Sequence, residues 1–231
     1  MSTTAITLLA AILIAAAIAG LIRAAGKANE ADWGDAVSNH IDGLNRLFVR
    51  NYHRLEKVDF DLPDEGPALV VANHISGLDP LLLMASSKRP LHFLIAKEEY
   101  ERPGLKWLFD RAGVIPVERT SRPERALRAA LRALEEGKVI ALFPFGRIHL
   151  DSEPPIRIKG GAGFLAARSQ APVYPARIEG VAMKDSVIRA VIKRGHPKLY
   201  PLASIRVEDE DTRAFLDKLS GLLSTTVKEA T

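Results

Sequence analysis

The passage that most limits how this chain can fold runs from Ala68-Leu69-Val70-Val71-Ala72 straight into Asn73-His74-Ile75-Ser76-Gly77-Leu78-Asp79-Pro80. The first five residues are apolar, β-branched in part, and too few for a helix, so they read as a buried strand. Asp79-Pro80 reads as a helix start, with the Asp side chain capping free backbone N–H groups and Pro suited to the first turn. Ser76-Gly77 supplies the turn between strand and helix. His74 therefore stands at a strand end and Asp79 at the next helix N-terminus, where the folded-back chain lets the two side chains meet. A carboxylate on one imidazole nitrogen fixes the tautomer and stabilises the imidazolium, and the other nitrogen is then free to take a proton from a hydroxyl. Ser76 is not framed as a Gly-x-Ser-x-Gly elbow, which argues against a serine nucleophile.

Downstream, strands and helices alternate. Strands are expected at Leu91–Ala96, Val114–Glu118, Val139–Phe143 and Val173–Ile178, with two more at Val187–Lys193 and Ala203–Val207. Helices are expected at Pro80–Ser86, Gly104–Ala112, Arg122–Glu136, Gly160–Arg168 and Thr212–Lys228. This order predicts an α/β domain with a mainly parallel central sheet flanked by helices.

The N-terminus is of another kind. Ala5 to Ile22 is uncharged, nearly all Ala, Ile and Leu, and at about 18 residues just long enough to cross a bilayer. Arg23 and Lys27 follow it, whereas a cleavable signal carries its basic residues in front. The reading is an uncleaved anchor in the cytoplasmic (inner) membrane, with the rest of the chain on the cytoplasmic side. Asp35 to Leu55 reads as a second helix, apolar on one side, with Arg46, Arg50 and Arg54 along its edge. Such a helix suits either the membrane interface or the surface of the catalytic domain. Residues 1–60 are thus expected to form a membrane-associated helical segment and residues 61–231 the catalytic domain.

Composition removes several classes of function. The 231 residues include no cysteine, which excludes disulfides, thiolate nucleophiles and zinc–thiolate sites. Net charge is +4, and Arg147 to Lys198 holds 10 basic residues against 4 acidic ones. Such a surface attracts phosphate groups, anionic membrane or nucleic acid. A nucleic-acid partner is not expected, because no recognition motif is visible and an uncharged N-terminal helix would have no role in one.

The Asn73-His74-x4-Asp79 stretch resembles the first sequence block of the glycerolipid acyltransferases, the family of bacterial 1-acylglycerol-3-phosphate acyltransferases. Gly113-Val114-Ile115-Pro116-Val117-Glu118-Arg119 resembles the family's second block, whose arginine helps hold the acceptor's phosphate, and Arg119 matches it. Phe143-Pro144-Phe145-Gly146-Arg147 falls where the family has Phe-Pro-Glu-Gly-Thr-Arg, but Phe145 replaces the glutamate and Arg147 stands one position early. Asp151 and Glu153 are nearby candidates to replace the missing charge. Arg157-Ile158-Lys159-Gly160-Gly161-Ala162 resembles the stretch before the next helix, where Lys159 can meet a phosphate. Ala171-Pro172-Val173-Tyr174-Pro175 resembles the fourth block.

The resemblance implies an acyltransferase with His74 and Asp79 catalytic, and with Asn73, Ser76, Arg119, Gly146, Arg147 and Lys159 binding substrate. It implies acyl-ACP (acyl carrier protein) or acyl-CoA as cosubstrate, no other cofactor, no metal and a membrane lipid as acceptor. Backbone N–H groups near the His-Asp turn are expected to stabilise the oxyanion. The default acceptor is 1-acylglycerol-3-phosphate. The altered third block leaves open an amino-acid lysolipid, a lysophospholipid, or a non-catalytic lipid-binding role.

Overall fold

The structure, a computed structural model, describes residues 2–118, 123–154, 156–207 and 211–224. Six strands make one sheet: β1 (Ala68–Ala72), β2 (Leu91–Ala96), β3 (Ile115–Val117), β4 (Val139–Leu142), β5 (Val173–Glu179) and β6 (Lys198–Pro201). Their order is β3-β2-β4-β1-β5-β6. The first five run parallel and β6 pairs antiparallel with β5. The α/β fold with a mainly parallel sheet is therefore as expected.

β1 lies between β4 and β5, and each of its five residues is buried. Val70 and Ala72 pack on one face with Leu78, Leu82 and Leu83, from the turn and from α3 (Asp79–Ala85). Leu69 and Val71 pack on the other face against Ala130, Leu165 and Leu219. Those three come from α6 (Pro123–Glu135), α7 (Gly161–Ser169) and α9 (Thr212–Ser224), which follow two short helices, α4 (Lys97–Tyr100) and α5 (Lys106–Arg111). Each such aliphatic side chain contributes about 1.5–3 kcal/mol on burial, and this two-sided cover is what holds a parallel sheet together. Because the strands are parallel, the segments leaving β1, β2, β4 and β5 emerge at one edge, the usual place for a site in such a sheet.

The N-terminal helix α1 (Thr3–Ala28) is 26 residues, about 39 Å of helix. Its most apolar 18-residue window has mean hydropathy 2.7, and none of it is buried. It is thus long and apolar enough to cross a membrane. At its C-terminal end it crosses α2 (Ala36–Leu47) so closely that a methyl group on Gly43 would overlap the Ala25 backbone.

Asp35 caps α2 by accepting from the N–H groups of Val37 and Ser38, and the helix runs on into a π-helical turn over Phe48–Tyr52. Of the two settings open to this helix, packing on the catalytic domain holds at Arg46, which is fully buried. Its guanidinium pairs with Asp42 at 2.6 Å and Glu30 at 3.0 Å, and donates to the carbonyls of Met84, Ala85 and Ser87. Arg50 also donates to Glu30 and to Ala85. Helix α2 is therefore bound to the end of α3 through this cluster.

Two expected strands take other forms. Val187–Lys193 is largely a short helix, α8 (Ile188–Ile192). Tyr52 donates through its hydroxyl to the Ile192 carbonyl, and His53 Nε2 bonds the Val191 carbonyl, so these groups do not join the sheet. Ala203–Val207 contributes only a bridge between Ile205 and Val173, and β6 forms instead just upstream. Helix α9 is described to Ser224, and the rest of the expected C-terminal helix lies outside the described residues.

Candidate active site

The end of β1 aims His74 at the sheet edge, and α3 brings Asp79 back to it. His74 Nδ1 lies 2.8 Å from Asp79 Oδ2. A carboxylate can only accept, so Nδ1 carries the proton and Nε2 holds the lone pair. Asp79 is fully buried, while the His74 side chain keeps 19% of its surface exposed. Among the described residues no group bonds Nε2. Phe143, at the end of β4, stacks on the imidazole face with centroids 4.1 Å apart and planes 14° apart. The ring is thus fixed at one edge by a carboxylate and over one face by an aromatic ring, leaving the other edge available to a substrate.

Asp79 does not cap its helix. Leu78 occupies that position, and the carboxylate points back into the turn. It accepts from Ile75 N at 2.6 Å, Ser76 N at 2.9 Å and Ser76 Oγ at 2.6 Å, besides His74. Three such bonds fix the carboxylate in place, as the partner that orients the imidazole must be. The same bonds use the N–H groups expected to stabilise an oxyanion. Ile75 N and Ser76 N serve Asp79, Gly77 N donates to Ser186 O, and Leu78 N donates to Ser76 Oγ. These four N–H groups are therefore already engaged, three within the turn and one with Ser186.

Asn73 and Ser76 lie beneath the imidazole rather than beside an open space. Asn73 is 2% exposed, and its amide exchanges two hydrogen bonds with the backbone of Ile178 at 2.9 and 2.7 Å, joining the ends of β1 and β5. Ser76 is fully buried and bonded to Asp79. Gly146 takes a φ of +71°, and a side chain there would strike the Lys159 chain. The Lys159 backbone in turn donates to Pro144 O at 2.8 Å. Lys159 and Arg147 are both exposed. Arg147 pairs with Glu153 at 2.8 Å, and together with the Leu150 N–H it holds that carboxyl below its ordinary range, the backbone bond being the larger cause. Phe145 is buried in the core. Asp151 pairs with the buried Arg177, so both nearby carboxylates are engaged in ion pairs of their own. Arg119 lies outside the described residues.

Three further contributors were not assigned to the site from the sequence. Phe143 is one. His149 is the second: its backbone N–H donates to the His74 carbonyl at 2.8 Å, and its ring packs by Phe145. The third is the segment before α8. Asp185 N donates to Ile75 O and Ser186 O accepts from Gly77, and a methyl group on Gly77 would overlap the Val187 backbone. Spacing gives no signal for contacts made by backbone atoms so far apart in the chain. Among the described residues no group of three His, Cys, Asp or Glu side chains is placed to hold a metal ion.

The whole arrangement can take a proton from a hydroxyl and return it to a leaving group, as acyl transfer requires. A family model described as acyltransferase matches residues 46–179, more than half of the chain. N-acylphosphatidylethanolamine synthase of Arabidopsis thaliana is 26% identical over 167 residues, which are 68% of this chain and 54% of the plant protein. The chain thus matches about half the length of that relative. The 1-acyl-sn-glycerol-3-phosphate acyltransferase of Bacillus subtilis is 23% identical over 140 residues, 60% of this chain and 67% of the relative. The crystal structure of the acyltransferase PlsC from Thermotoga maritima superposes with a TM-score of 0.65 at 21% identity, covering 86% of this chain and 83% of that one, a likeness of fold. The chain belongs to the glycerolipid acyltransferase family.

Proposed function

We propose that this enzyme moves a fatty acyl group from acyl-ACP or acyl-CoA to the hydroxyl of a lysolipid at the cytoplasmic face of the inner membrane. The observation that carries the proposal is the His74–Asp79 pair, with Nδ1 held at 2.8 Å and Nε2 left unbonded among the described residues. Nε2 takes the acceptor's hydroxyl proton as the oxygen attacks the thioester carbonyl. The C–S bond then breaks, and the imidazolium returns the proton to the departing thiolate. Asp79 stabilises the imidazolium between these steps. Asn73 and Ser76 fix the geometry and need not touch substrate. The exposed apolar α1 anchors the chain in the membrane.

The first acceptor to test is 1-acylglycerol-3-phosphate, which the Bacillus relative is named for. In this reading Arg119 grips the phosphate with its two-pronged guanidinium and Lys159 adds a second charge. A specific observation favours a second acceptor. Phe145 fills the glutamate position with a buried apolar ring and Arg147 is held by Glu153, so the third block offers the acceptor little free charge. An amino-acid lysolipid or a lysophospholipid suits that surface better.

Purified enzyme with one acyl donor and a panel of lysolipids, read by mass spectrometry, separates the two. Arg119→Ala should raise the Michaelis constant for a phosphate-bearing acceptor strongly and leave a phosphate-free one alone. Equal weakening of both would make Arg119 structural. If wild-type enzyme ignores 1-acylglycerol-3-phosphate and acylates an amino-acid lysolipid or a lysophospholipid, the second acceptor is the right one.

A further inference from the structure

We propose that the segment from Met183 to Arg194, which braces the His74 turn, is a docking surface for an anionic membrane, separate from α1. Three aliphatic side chains stand out from it: Val187, Ile188 and Ile192, the last two exposed by 60% and 66%. Ile188 and Ile192 are one helical turn apart on α8, so they project from the same side. Tyr52, 40% exposed, adjoins them through its bond to Ile192 O. Lys184, Arg189, Lys193 and Arg194 are all exposed, and Asp185 is the one acidic residue in the stretch. No ion pair joins any of these four cations among the described residues.

The charge pattern selects the occupant. Cores of protein–protein interfaces are poor in Lys and rich in aromatic residues and Met. An aliphatic tip ringed by Lys and Arg is the pattern of a segment lying in the headgroup layer, where long basic side chains reach anionic phosphates. By contrast, the exposed Trp107 and Leu105 lie beside cations that are already paired, Lys106 with Asp110 and Arg102 with Glu99. That second patch has no such excess of positive charge.

The segment is also held rigidly against the catalytic turn. Met183 and Asp185 take left-handed φ values of 53° and 69°, which cost energy outside glycine and persist where neighbours enforce them. The Asp185–Ile75 and Gly77–Ser186 backbone bonds supply that enforcement, and Ser186 Oγ accepts from Arg189 N at the start of α8. Docking here would set His74 at a fixed height over the lipid surface. The inference goes beyond the lysolipid reading, since membrane contact can be measured whatever the acceptor.

The absence of cysteine makes the test direct. Ile188→Cys, labelled with an environment-sensitive dye, is compared with Lys218→Cys on exposed α9, both in the full chain. Each is mixed with vesicles of phosphatidylcholine alone, or with added phosphatidylglycerol, carrying spin-labelled lipid as quencher. The expected result is quenching at position 188 and none at 218, with the response weakened by about half or more in vesicles without anionic lipid. Quenching at neither position while the protein floats with the vesicles would overturn the proposal. A response at 188 to an acidic acyl carrier protein but not to vesicles would also overturn it, and would assign the face to that partner. A second variant, Ile188→Asp with Ile192→Asp, should raise the Michaelis constant for a vesicle-borne lysolipid roughly tenfold and leave that for a monomeric short-chain lysolipid unchanged. An equal change in both would overturn the proposal. Loss of quenching at 188 with activity intact, and activity lost with quenching intact, separate failure of this inference from failure of the lysolipid reading.

Discussion

The two ends of α3 are built from the same kinds of group and reach opposite results. At the N-terminal end, buried Asp79 gathers two backbone N–H groups, a hydroxyl and an imidazole, and the imidazole keeps one nitrogen unbonded. At the C-terminal end, buried Arg46 gathers two carboxylates and three carbonyls. Both clusters are dense and charged. What separates chemistry from scaffolding is one lone pair left over at the edge of the cluster, in a ring that is still partly exposed.

Removing the leftover group is the sharpest way to test that contrast. His74→Ala should lower turnover by roughly 10³-fold or more, within or beyond the range of a positioned base, while the melting temperature stays close to wild type. Rates measured on protein shown by circular dichroism to be folded decide it, and appreciable activity would end the reading of His74 as the base. Arg46→Met should do the reverse. It strands the buried Asp42 carboxylate and several carbonyls, at a cost of about 3–5 kcal/mol in stability. Urea unfolding measures this, and turnover per folded molecule should hold. A fall in turnover would mean the two ends of α3 are coupled.

Asp79→Asn touches both properties and blurs the contrast. An amide cannot accept on both sides, so the Ile75 and Ser76 N–H groups lose part of their acceptor and the imidazolium loses its counter-charge. Turnover should drop on the order of 10²-fold, less than in His74→Ala, with a lowered melting temperature. The smallest effect is one of pH. Hydrogen bonds from Arg50, and then Lys57, lower the Glu30 carboxyl to about 2 against partial burial. The unfolded chain then binds the extra proton first, so Glu30's contribution to stability is full above its ordinary value near 4.5 and is lost as pH falls toward about 2. Glu30→Gln should flatten that acid limb in melts recorded across this range.

The strands β1, β2 and β4 and the helices α3 and α6 were legible because their apolar runs and their Gly and Pro boundaries agree with where they are buried. The pairing of His74 with Asp79 was legible because it is local. What misled were residues whose local preference lost to distant partners. Val187, Ile188, Val191 and Ile192 are β-branched and suit a strand, yet the same four also recur at helical spacing. The side chains of Tyr52 and His53, more than 130 positions earlier, decide the matter by bonding two of the carbonyls. Arg46 and Arg50 suit a lipid-facing edge and the domain surface equally, and the proximity of Glu30 and the end of α3 selects the second. Asn73, beside His74, has its amide bonded to the backbone of Ile178, 105 positions away, a partner that spacing does not signal.

The central place of β1 also has a consequence for biosynthesis. β1 and the His74 turn leave the ribosome early, but every strand neighbour of β1 comes later: β4 begins at Val139 and β5 ends at Glu179. The clasp on Gly77 waits for Ser186. At about 5–20 residues per second, the nascent chain carries an uncovered apolar strand for several seconds before its partners exist. An emerging α1 that has already entered a bilayer would hold that exposed segment on a short tether, away from other unfinished chains. The same order means that a ribosome stalled before Ser186 releases a chain that holds His74 and Asp79 in sequence without the clasp that braces their turn.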